Sequence, residues 1–213
     1  MKKKRESAAE IVARLDRDPG RRARCAVRDA ELLLIAERRR KEVIPLADDL
    51  RAAGLDLASP WELSQRPADL ELAFPVLLQH LRMPHSENTL GNIASLFQRR
   101  EARPYWESLL SLYGDTTDNS NANWRFQLAH AIVVMASKSD LDTLLELLRD
   151  RRLGTSRIAF VPAVIKLGKE RGWEALTSLK DDPDLSKEIA HRFSGKERRE
   201  RAKENRAPAS GSE

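Results

Sequence analysis

Four stretches of this chain repeat one leucine-rich pattern, and that recurrence limits the fold more than any other feature. They are Pro75-Val-Leu-Leu-Gln-His-Leu81, Glu107-Ser-Leu-Leu-Ser-Leu-Tyr113, Asp142-Thr-Leu-Leu-Glu-Leu-Leu148 and Glu174-Ala-Leu-Thr-Ser-Leu179. Anchored on Leu77, Leu109, Leu144 and Ala175, the copies lie 32, 35 and 31 residues apart. A second apolar pattern follows each one: 90–97 aligns with 125–132 and 157–164, and a shorter last one holds Leu185, Ile189, Ala190 and Phe193. Helix pairs at such a period signal an α-solenoid, because one pair cannot bury its own apolar face and neighbours must stack. Composition agrees. Leu and Ala supply 56 of the 213 residues and the β-branched pair Ile and Val only 16, a balance that favours helices over strands.

The expected organisation is a basic disordered head over 1–6, an N-terminal helical cap over 7–66, repeats over 67–193 and a charged, largely disordered tail over 194–213. Within the cap, Ser7 can start a short helix carrying Ile11, Val12 and Leu15, closed by Asp18-Pro19-Gly20. A longer helix follows through Cys25, Ala26, Ala30, Leu33, Leu34 and Ile35 and should end near Pro45. Leu46, Leu50 and Ala53 continue one face as far as Gly54, a C′ glycine. Ser59-Pro60-Trp61-Glu62 has the N-cap, first-turn proline and first-turn acid of another short helix. The polar segment 114–123 lengthens the second repeat and reads as a solvated loop.

The net charge of +5 points to nucleic acid only until it is divided along the chain. Residues 1–6 and 192–213 carry +3 each, so 7–191 sums to −1. A domain that grips phosphates needs a basic stripe on its folded surface. Here basicity lies at the two ends, with a further basic stretch over 16–42, where nine Arg or Lys face six Asp or Glu. Any nucleic-acid affinity is therefore expected to be weak, non-specific and carried by the tails.

Catalytic patterns are missing from the sequence. The four histidines, His80, His85, His130 and His191, contain no His-Glu-x-x-His pair. His80 and His85 straddle a turn at Met83-Pro84 and can converge, but no third ligand is evident, so no metal is expected. Neither a Gly-x-Ser-x-Gly elbow nor a Gly-rich phosphate loop occurs. The single cysteine, Cys25, excludes an internal disulfide and a multi-thiolate metal site. No apolar run reaches the roughly 20 residues that span a bilayer. No apolar signal segment follows the basic start, so a soluble, cytoplasmic protein without cofactor is expected.

The repeat Leu144-Leu-Glu-Leu-Leu-Arg-Asp150, followed by Arg157, Ala163 and Leu167-Gly168, resembles the HEAT-repeat family in its leucine pair, Asp, Arg and Ala-x-x-x-Leu-Gly pattern. The resemblance covers roughly 68–193 and is to the short, bacterial-type HEAT-like proteins. It implies an all-α fold, a right-handed α-solenoid of about four helix pairs behind the N-terminal cap. It also implies that Arg157 joins Asp150 as a structural pair. Some HEAT-like bacterial proteins are DNA glycosylases with aromatic and acidic residues in a basic groove; no residue set here matches theirs. The motif specifies a fold, not a chemistry.

The reading that follows is a non-catalytic binding or scaffold module that offers its solenoid surface to a protein partner. Trp106, Trp124, Arg125, Gln127 and Arg157 are the candidate contacts, since Trp and Arg dominate interface energetics. Trp61 and Trp173 read instead as fillers between stacked helices. The alternative is the weak nucleic-acid binder described above.

Overall fold

The computed structural model describes residues 7, 8, 15, 18–115 and 122–204; among them there are helices, turns and no strand. The short helix expected over 7–18 and most of the 114–123 loop lie outside the described residues.

The first element, α1 (Pro19–Ala52), is a single helix of 34 residues. Its start follows from Asp18, whose carboxylate accepts from the Gly20 amide at 2.9 Å, and from Pro19 in the first turn. Its end is the anticipated glycine: Gly54 has φ 89°, and the Gly54 and Leu55 amides bond back to Arg51 and Leu50 at 2.9 and 3.0 Å. Pro45 does not end the helix as expected. The proline removes one backbone bond, to the carbonyl of Lys41, on a stretch open to solvent. Beyond it, Leu46 and Leu50 are fully buried, and their packing carries the helix onward.

After short 3-10 turns at Pro60–Gln65 and Pro67–Asp69, the repeats appear as pairs. They are α2 (Leu70–His80) with α3 (Glu87–Leu96), α4 (Trp106–Asp115) with α5 (Ala122–Met135), α6 (Leu141–Arg149) with α7 (Phe160–Gly168), and α8 (Glu170–Thr177) with α9 (Ser186–Glu204). The second helices stack in a row: α3 lies along α5, and α5 packs on α7 and on the 3-10 segment Arg151–Ala159 before it. Pro162 sits in the first turn of α7, where no intrahelical donor is lost. At the last pair α9 continues to Glu204, so the charge-rich stretch from 194 is helical that far.

The repeat phase read from the leucines matches the core. Leu77, Leu109 and Leu144 are fully buried, as are Ile93, Leu128 and Val164 on the second helices. In α4 the core position belongs to Leu109, whereas Leu110 is only partly buried. Aromatic rings fill gaps within and between pairs: Phe74 stacks on Phe97 at 5.0 Å inside the first pair, and Tyr113 meets Phe160 edge-on at 5.5 Å between the second and third. The Tyr113 hydroxyl also bonds Ser156 Oγ at 2.7 Å, and burial pushes its pKa up to about 12. α7 and α8 approach closely at Gly172, where an added Cβ would lie 2.3 Å from the Val164 carbonyl oxygen.

A candidate docking surface on the N-terminal helix

Four of the five residues expected to contact a partner are inside the molecule. Trp106 is buried under Arg103, whose guanidinium lies 4.4 Å above the ring, and its indole N–H donates to the Ile132 carbonyl at 3.3 Å. Trp124 and Arg125 are buried at the start of α5, with the Arg125 guanidinium 6.0 Å from the Tyr113 ring centre. Arg157 is completely enclosed: it donates to Asp182 at 2.9 and 3.1 Å, to Asp184 at 2.9 Å and to the Leu148 and Gly154 carbonyls at 3.0 and 2.9 Å. Gln127, half-buried, accepts from Gln98 at 2.7 Å. The repeat stacking that makes these side chains regular in sequence also covers them.

The expected Asp150–Arg157 pair does not form. Asp150 caps the next turn and binds Arg152 instead, which holds its carboxyl below the usual range. The acids that Arg157 uses come from the turn before α9, one pair further on. A parallel clamp that the sequence did not announce ties the second pair to the third: Arg103 donates to both Asp140 oxygens at 2.8 Å, and this contact holds the Asp140 carboxyl down at about 2.

The exposed apolar surface is elsewhere. From Pro19 to Pro45 no residue of α1 is buried. Val27, Leu32, Leu33, Leu34, Ile35 and Ile44 are between 44% and 72% exposed, and among the described residues the repeats add only Leu72 at 52% and Val134 at 38% to the exposed large apolar side chains. Ala23, Ala26, Val27, Ala30, Leu33 and Leu34 follow helical spacing and form one stripe, with small alanines that let another helix approach closely. Around the stripe, 19–44 carries eight Arg or Lys against four Asp or Glu. From Pro19 to Ile44, α1 is thus a basic arm about 39 Å long with an apolar stripe; Leu32 and Ile35 are exposed off that stripe, and Glu42 at its root packs on the first repeat. Among the described residues of the expected 7–66 cap, the fully buried ones begin at Leu46.

A chain of side chains anchors the arm to the first repeat. His80, fully buried at the end of α2, has Nε2 2.9 Å from Asp49 Oδ2 and Nδ1 2.9 Å from His85 Nε2. Two neutral rings, each protonated at Nε2, satisfy both contacts: His85 donates to His80, and His80 donates to Asp49. His85 Nδ1 then faces Glu42 Oε1 at 3.6 Å, and Glu42 also accepts from the Ser86 amide at the start of α3. Burial, and then the neighbouring His80, push the His85 pKa down against the opposing pull of Glu42. The convergence of His80 and His85 is therefore real. The acids that complete it come from α1, seven residues apart on one face: the His85–His80–Asp49 run is hydrogen-bonded, Glu42 stands beside His85 without a hydrogen bond to it, and no cluster able to hold a metal occurs among the described residues.

Beside this anchor lies a groove of about 640 Å³. Its apolar walls are Val43, Ile44, Ala47, Pro60 and Trp61, with Asn88 and Asn92 opposite; Arg39, Arg40 and Arg51 stand along its rim. The chain matches no family model, no curated protein and no solved structure. Among the described residues no helix is long and apolar enough to cross a membrane.

Proposed function

We propose that this chain is a non-catalytic binding module, a right-handed HEAT-like α-solenoid that presents its N-terminal arm to a protein partner. One observation carries the reading: large exposed apolar side chains concentrate on the arm, while the repeats bury theirs. An apolar stripe with basic flanks suits an amphipathic helix that is acidic at its edges, because the arm's net charge of +4 disfavours pairing with a second copy of itself. The repeats serve as a rigid body holding that arm. A location in the cytoplasm is consistent with this role.

A photo-crosslinking residue placed at Leu33 of the full chain, expressed in the source cell, tests the reading. Defined protein adducts are expected, and they should vanish when Ala26 and Ala30 are both changed to Glu. Adducts that persist in that variant, or an arm that reacts only with solvent, would sink it.

A further inference from the structure

We infer that the groove at the base of the arm is a docking site for an acidic peptide segment carrying one bulky apolar anchor. The inference rests on the binding-module reading and adds the chemistry of what is bound.

The groove has two unlike sides. Val43, Ile44 and Ala47 of α1 face Pro60 and Trp61, and Ile44 remains half exposed although it is a large aliphatic side chain beside a partly exposed indole. That surface is suited to one apolar side chain, and about 640 Å³ is room for a short segment around it. The rim is charged. Arg51 is engaged by Asp48 at 2.7 Å, the only acid lining the groove, whereas Arg39 and Arg40 have no ion pair among the described residues. Asn88 and Asn92, one turn apart on α3, offer amides that can bond an extended backbone.

A compact anion fits this arrangement poorly. Two donors at the start of α3 are already engaged: the N-cap Ser86 amide donates to Glu42, and the Thr89 amide to Ser86 Oγ at 3.4 Å. What remains is a line of guanidiniums from Arg39 to Arg51, about 18 Å along the helix axis. That span matches about five residues of extended chain. Carboxylates distributed along a peptide can meet it, and a single phosphate cannot. The concave shape also keeps Trp61 away from a flat bilayer.

Selection from a library of random peptides about twelve residues long, displayed against the immobilised full chain, tests the inference. Peptides that also bind the Arg39→Glu/Arg40→Glu variant are removed. Enriched peptides are expected to hold several Asp or Glu around a Leu, Phe or Trp. A labelled consensus peptide should lose about tenfold or more in affinity in both Arg39→Glu/Arg40→Glu and Trp61→Phe, the scale of a lost interfacial anchor. Ala26→Glu/Ala30→Glu should leave it unchanged. Unchanged thermal melts would show that the exposed arginine variants fold. No enrichment over the charge-reversed variant overturns the inference. So do enriched peptides without acids, and a peptide bound equally by the groove variants. Complete displacement by a generic DNA duplex or by phosphatidylserine vesicles overturns it too, assigning the rim to phosphates. If the Leu33 adducts persist while the groove fails, the binding module stands and only its peptide specificity is lost.

Discussion

Two leucine-rich segments of this protein meet opposite fates. In α6, Leu144, Leu145 and Leu148 are at most 2% exposed; in the arm, Leu32, Leu33 and Leu34 are between 55% and 72% exposed. Their side chains are the same and both segments are helical. The difference is the neighbours. α6 has α7 beside it, and the 3-10 segment before α7, whereas the arm leaves the body before any repeat reaches it. Burial is a property of what a helix stacks on, and a run of leucines reports only a demand for a surface.

The comparison can be broken most decisively where the repeats bury charge. Replacing Arg157 by Ala leaves Asp182 enclosed with only the exposed Arg151, at 3.4 Å, to offset its charge, and should cost about 3–5 kcal/mol, read by urea unfolding. If the cost is under about 1 kcal/mol, the interior of the last two pairs is wetter than the burial of Arg157 and Asp182 indicates. Leu145→Ala should cost about 2–5 kcal/mol by the same measurement. A midpoint within error of the parent would put the repeat phase of α6 in error.

Acid sharpens the contrast without a mutation. His85 and His130 both have pKa values lowered below 6.5 in the folded state, chiefly by burial. The unfolded chain therefore binds their protons more readily. Their contribution to stability is present above pH 6.5 and is lost as the pH falls through 6.5 toward the folded values. His85→Asn together with His130→Asn should flatten the fall in melting temperature between pH 7 and pH 5. An unchanged slope would mean that these rings stay neutral for some other reason or not at all. The smallest effect belongs to the arm: Leu33→Ala should change stability by about 0.5 kcal/mol or less. A loss near that of Leu145→Ala would show that Leu33 is already covered in solution.

Sequence made much of the body legible. The spacing of Leu77, Leu109 and Leu144 located one buried face per repeat, and Gly54 was readable as a helix end because only its left-handed backbone ends the helix that way. What it could not supply was contact across distance in the chain. Asp49 lies 31 residues from His80 and Asp182 lies 25 from Arg157, and no local pattern links them. Trp124 and Arg125 looked like surface anchors because their residue types are common at interfaces. Interior steps between helix pairs use the same side chains for their area and their donors. Pro45 misled in the other direction, since a proline's local cost was outweighed by the burial of Leu46 and Leu50.

Glu42 and Asp49 bracket Pro45, and both are tied to the first repeat through His85 and His80. This fixes the fulcrum of a lever. The stretch from Arg40 back to Pro19, about 32 Å, has no fully buried residue, and a tilt of about 10° at its base would carry the tip about 6 Å. Such reach enlarges the volume from which a partner can be caught, while Arg39 and Arg40, next to the fulcrum, barely move. On the proposed binding-module reading, first encounter belongs to the tip of the arm, and the setting of register to its root.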